Sequence, residues 1–105
     1  VHGDLVPDNM LLNGARLSAV IDWGGLGVGD PAIELLPAWN LFRGASREAY
    51  REALGFDEAT WARGRGLALS TSIVALPYYI NSIPIRAKRA IDVIREVLAD
   101  IEQER

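Results

Sequence analysis

Apolar positions along the chain follow two different periods. Residues 10–12 and 17–21 are short apolar runs, and Asn13-Gly14 between them tolerates positive φ, so this stretch predicts a β-hairpin. Residues 24–29 carry four glycines and read as a turn-rich loop. Beyond Asp30 the period becomes helical. Asp30 before Pro31 is a helix start, a carboxylate cap followed by proline in the first turn. Ile33, Leu36, Trp39 and Leu41 make its apolar stripe, with Pro37 expected to kink or end it. A second helix is expected over residues 47–54, stopping at Gly55. Asp57 caps a third, which turns Trp61, Leu67, Ala68 and Ile73 to the core and is interrupted at Leu76-Pro77. Pro84 restarts the helix, and Ile91, Ile94, Leu98 and Ile101 form a stripe read as core. Gly64 and Gly66 are poor helix residues, each about 1 kcal/mol worse than Ala, and mark either close packing or a substrate approach.

Composition narrows the class without choosing a function. At 105 residues the chain is one domain at most, and half its residues are hydrophobic, enough for a modest core. The net charge is -3 and no basic block occurs, so nothing points to a nucleic-acid partner. There is no cysteine, which excludes disulfides and thiolate metal sites. No apolar run reaches the roughly 18 residues of a membrane span, and a cytoplasmic protein is expected.

The chemistry is concentrated in residues 1–31. His2, Asp4 and Asn9 fall within one turn, and the hairpin returns the chain so that Asp22 comes back beside Asn9. Two carboxylates and a carboxamide then converge, the kind of hard-oxygen set that holds Mg²⁺ against a phosphate. Asp8 competes with Asn9 as an oxygen donor, but adjacent residues do not easily aim at one site, so Asp8 reads as a solvated turn residue. Trp23 is placed to shield Asp22 from water. His2 is the only histidine, and no serine sits in a nucleophile elbow, so a Ser-His-Asp reading has no support.

His2-Gly3-Asp4 with Asn9, then Ile21-Asp22-Trp23, then Gly29-Asp30-Pro31-Ala32, resembles the catalytic half of the aminoglycoside phosphotransferase family, small-molecule kinases related in fold to protein kinases. The resemblance implies an α/β, mostly α fold: a protein-kinase-like C-terminal lobe fragment, one β-hairpin carrying the site, then a helical bundle. Residues 1–31 would supply the catalytic loop, hairpin and metal-binding Asp, and residues 32–105 the helical part. It further implies that Asp4 is the catalytic base, that Asn9 and Asp22 are Mg²⁺ ligands, and that His2 braces the loop. ATP or GTP would be the phosphoryl donor and a hydroxyl on a small molecule the acceptor, an antibiotic or a metabolite, with antibiotic resistance one implied role. Asp30 and Glu34 are candidate substrate contacts; helix capping alone would explain Asp30, and the family often has Asp where this chain has Glu34. Tyr78, Tyr79 and Asn81 could face a sugar-like acceptor, packing being the ordinary role for such aromatics.

Such kinases also grip ATP with a Gly-rich loop and a strand lysine. Neither is found here: the glycines follow Asp22, and Lys88, the only lysine, lies in the last helical pattern. The chain is therefore expected to be a lobe whose N-terminal nucleotide partner is absent, inactive by itself. Two other classes remain open on the residues alone: a non-catalytic kinase-like scaffold, and a metal-dependent phosphohydrolase using Asp4 and Asp22 as paired carboxylates.

Overall fold

The computed structural model describes residues 1–104. It is mostly helical, with one two-stranded antiparallel sheet near the start. A 3-10 turn over Pro7–Asn9 leads into β1 (Met10–Asn13), which pairs with β2 (Arg16–Val20). Met10 opposes Val20 and Asn13 opposes Arg16, so the connecting residues are Gly14 and Ala15, one position later than expected. Gly14 takes φ 63°, the left-handed conformation that such a tight turn requires. A bulge interrupts the register between Leu11 and Leu12. Beyond β2 one more bond continues the pairing, because the Ile21 N–H donates to the Asn9 carbonyl at 2.8 Å.

Asp30 is an N-cap as expected, its side chain accepting from the Ala32 N–H, but the segment that it starts is a 3-10 turn, Pro31–Leu35. Pro37 does not kink a helix; it opens a new one, α1 (Pro37–Asn40), where its missing N–H costs nothing. The expected stripe shifts accordingly. Leu35, Ala38 and Trp39 are fully buried, Ile33 and Leu36 are half-buried, and Leu41 is exposed.

Next come α2 (Ala45–Leu54), α3 (Glu58–Tyr79) and α4 (Pro84–Gln103). α2 ends at Gly55, whose N–H returns to the Arg51 carbonyl. Asp57 caps α3 through the Thr60 N–H. The expected break at Leu76-Pro77 does not occur: α3 runs through Pro77 to Tyr79. Pro77 lies in the final turn, and the carbonyl that it deprives of a donor belongs to Ile73, an exposed residue that water can solvate. Within α3, Trp61 and Ala68 are buried, Leu67 is half-buried and Ile73 is exposed, Ser72 taking the inward position.

α3 and α4 pack antiparallel as the main layer, with the Pro31–Leu35 turn and α1 laid against them. The core is Leu35, Ala38, Trp39, Trp61, Ala68, Val93 and Val97. The stripe expected on α4 is corrected here. Ala87, Ala90, Val93, Val97 and Asp100 face inward, whereas Ile91 and Ile94 are half-buried and Leu98 and Ile101 are exposed. Asp100 supplies a reason: its Oδ2 accepts from the indole N–H groups of both Trp39 and Trp61 at 3.2 Å, with Arg65 at 3.6 Å. Two buried indole donors need an acceptor, and meeting them turns the helix face by about one residue. No described helix is long and apolar enough to cross a membrane.

Candidate functional site

His2 ties the two parts of residues 1–31 together. The Asp4 N–H donates to His2 Nδ1 at 3.0 Å, so that nitrogen carries no proton and Nε2 donates to the Ile21 carbonyl at 2.8 Å. One buried imidazole therefore spans from the loop to the residue before Asp22. Trp23 packs edge-on against the ring at 4.4 Å, and its indole N–H donates to the Val20 carbonyl. Trp23 is itself half exposed, and Asp22 is exposed, so Trp23 does not wall Asp22 off from water.

Asp4 and Asn9 are in direct contact. Asn9 Nδ2 donates to the Asp4 carbonyl at 2.8 Å and to Asp4 Oδ2 at 3.0 Å. Asn9 is buried and Asp4 exposed, so the amide acts as the fixed member and the carboxylate as the presented one. Asp22 reaches the same place from the other strand and holds φ 59°, the only non-glycine residue with positive φ among those described. A left-handed aspartate costs on the order of 1–2 kcal/mol, and the bonds of its neighbours Ile21 and Trp23 fix the chain on either side of it.

Asp4, Asn9 and Asp22 line one cavity of about 440 Å³. Val6 and Asp8 of the loop, with Leu36 and Asn40, complete the near side, and the far wall comes from α3, with Thr71, Ser72 and Tyr79, and from α4, with Arg86 and Arg89. Among the described residues no cluster of three or more His, Cys, Asp or Glu side chains could hold a metal. Asp4 and Asp8 also bring carboxylates to this cavity, bonded to Asn9 and Arg89, and the pair that the hairpin sets out as metal donors is the Asp22 carboxylate and the Oδ1 of Asn9, whose nitrogen is already committed. That donor set suits Mg²⁺, which takes one or two protein oxygens and fills its shell with water and phosphate oxygens.

Asp8 is exposed in the Pro7–Asn9 turn, as expected, but it is not free, and it too lines the cavity. Arg89 of α4 pairs with it through two hydrogen bonds, 3.0 and 3.2 Å, and this bond holds its carboxyl below the usual carboxylate range. A residue next to Asn9 is thereby fastened to the last helix. The loop is held from a third side by Glu34, whose Oε1 accepts the Gly3 N–H at 3.1 Å, and by Asn40, which donates to the Leu5 carbonyl at 3.0 Å. Tyr50 of α2 donates to the Glu34 carbonyl at 2.6 Å, and its hydroxyl is pushed up to about 12 by burial and by the Glu34 charge.

Asp30 and Glu34 do not line the cavity. Asp30 is exposed, caps Ala32 and pairs with Arg63 at 2.8 Å, which lowers its carboxyl. Residues 24–29 also lie outside the lining; they fold back on the start of the chain, Gly27 N–H donating to the Val1 carbonyl. Of the candidate contacts for a sugar-like acceptor, Tyr79 lines the cavity, while Tyr78 and Asn81 do not.

Arg86, Arg89, Thr71 and Ser72 were not singled out from the sequence. A signal was available for two of them: residues 68, 71, 72, 75 and 79 form a helical stripe of small and polar side chains ending in a tyrosine, unlike a core face. No curated protein and no solved structure matches this chain. Its sequence does match the model of the phosphotransferase enzyme family, APH, over residues 1–67, a span that holds the loop, the hairpin and Asp22. With that match covering more than half of its length, the chain belongs to the APH phosphotransferase enzyme family.

Proposed function

We propose that the chain is the catalytic part of a kinase-like lobe that transfers the γ-phosphate of ATP to a hydroxyl of a small molecule. Asp4 is the base, and Asn9 and Asp22 hold Mg²⁺. The observation that carries this reading is the shared cavity, with Asn9 bonded to the Asp4 carboxylate and Asp22 on the same lining. Asp4 Oδ2 is held by Asn9, so Oδ1 is the atom that would accept the hydroxyl and aim its oxygen. In a loose phosphoryl transfer the proton leaves late, so Asp4 contributes mainly by orienting the acceptor. When bound, Mg²⁺ would neutralise charge on the phosphate oxygens.

Asn9 has two tasks in this scheme, fixing Asp4 by its nitrogen and offering oxygen to the metal. His2, Glu34 and Asn40 hold the loop so that neither side chain has to search for its position. Lys88 is exposed on α4 and outside the cavity lining, which supports assigning the phosphate-gripping lysine and Gly-rich loop to a nucleotide lobe beyond these residues.

The test is γ-phosphate transfer from labelled Mg-ATP to a panel of alcohols, using the longest polypeptide that contains this chain. Asp4→Asn should slow transfer by about 10²–10⁴-fold while Mg-ATP affinity stays unchanged. Hydrolysis of phosphate esters without nucleotide, or transfer indifferent to Asp4→Asn, would overturn the reading.

A further inference from the structure

The charges around the cavity do not cancel evenly. Asp8 and Arg89 neutralise one another through their paired hydrogen bonds. Asp4 and Asp22 lie on the loop and hairpin wall, where the proposed reading sets them against a divalent cation and a phosphoryl group. Arg86 is the second guanidinium, close enough to Asp8 for its charge to help lower that carboxyl. It is exposed, lines the cavity and makes no ion pair among the described residues. Its Nη1 donates to the Tyr79 hydroxyl at 3.3 Å, and its guanidinium lies 5.3 Å from the centre of that ring. Tyr79 thus holds the guanidinium at the cavity wall, and most of its five N–H donors stay uncommitted.

The rest of that wall carries no charge except Arg89, which is paired with Asp8. Ala68, Ala75, Ala90 and Val93 are apolar, and the side-chain oxygens are the neutral hydroxyls of Thr71, Ser72 and Tyr79. An acceptor bearing several ammonium groups would meet a cation, hydroxyls and apolar surface there, and the one carboxylate that reaches this wall, Asp8, is already held by Arg89. A planar guanidinium fits a carboxylate with two parallel hydrogen bonds. We infer that the acceptor is a small hydroxy acid, its carboxylate held by Arg86 against Tyr79 and its hydroxyl presented to Asp4. This inference rests on the phosphotransferase reading and names the class of acceptor within it.

Three matched three-carbon alcohols test it: D-glycerate, glycerol and 2-amino-1,3-propanediol, an acid, a neutral compound and an amine. In an NMR titration, D-glycerate should shift the Arg86 Nε–H and Tyr79 ring signals saturably, at least about tenfold more tightly than the other two. Arg86→Gln, an exposed substitution, should remove that preference and leave the remaining spectrum in place. In ATP-dependent transfer by the longest polypeptide that contains this chain, the same change should raise KM for the acid by roughly tenfold or more, with kcat and KM for Mg-ATP within about twofold. Equal or tighter binding of the amine or the neutral alcohol would overturn the inference. So would a KM for the acid indifferent to Arg86→Gln, or a loss confined to Mg-ATP. Selective binding of the acid without any transfer from ATP would keep the anion site and remove the phosphotransferase reading. Transfer to the amine that ignores Arg86→Gln would do the reverse.

Discussion

At the scale of single residues, two of the groups that hold the loop lie outside the cavity lining. Tyr50 and Glu34 form a short relay from α2 to Gly3: the tyrosine hydroxyl on the Glu34 carbonyl, the Glu34 carboxylate on the Gly3 N–H. Burial, and then the Glu34 charge, raise the Tyr50 hydroxyl from its ordinary value near 10 to about 12. A group whose folded pKa is raised stabilises the fold fully below its unfolded pKa, and the benefit is lost as pH rises through the folded value. The alkaline loss of stability should therefore fall between about pH 10 and 12, and Tyr50→Phe should flatten that part of the curve. Denaturant unfolding of both proteins at stepped alkaline pH measures it; an unchanged slope in Tyr50→Phe would show that the loss arises elsewhere. Little of this was legible in the sequence. His2, Asp4, Asn9 and Asp22 stand in a short motif with fixed spacing, whereas Tyr50 acts on the loop through Glu34, 16 positions before it, and Arg89 reaches Asp8 across 81, and no local pattern marks such partners.

Among the elements, helix starts and stops were readable because caps are local chemistry: Asp30, Asp57 and Gly55 each act where the sequence indicated. Which face turns inward was less readable. α4 has apolar residues on more than one side, and the choice between them was made by two indole N–H groups seeking Asp100. Gly64 and Gly66 show the same division. A Cβ at Gly64 would lie 2.8 Å from Leu35 Cβ and Cδ1, because α3 presses there on the Pro31–Leu35 turn. At Gly66 nothing lies within 4 Å. Gly66→Ala should stabilise the protein by about 0.5–1 kcal/mol, the helix-propensity gain alone. Gly64→Ala adds the same propensity but must displace a buried leucine, and should destabilise by about 1–3 kcal/mol on balance. Urea midpoints of the two variants check both signs; stabilisation by Gly64→Ala would mean that Leu35 gives way freely.

Across the whole molecule, the Trp39–Trp61–Asp100 centre fixes α3 against α4, and those two helices provide the far wall of the cavity that Asp4, Asn9 and Asp22 enter. Core and site are thus built on one helix pair, and Arg89, reaching Asp8 across 81 positions, couples the last helix to the first turn. That coupling has no sequence signature, which is why the loop chemistry was legible and its far wall was not. The central claim is that a hairpin brings Asn9 and Asp22 to one divalent cation beside Asp4. Its most direct test is paramagnetic broadening by Mn²⁺, titrated in the presence of a non-hydrolysable ATP analogue and read residue by residue in NMR spectra. The account predicts broadening centred on the Asn9 side-chain amide and on Asp22, abolished by Asp22→Asn. Broadening centred instead on Asp30 or Asp57, or unchanged by Asp22→Asn, would contradict it.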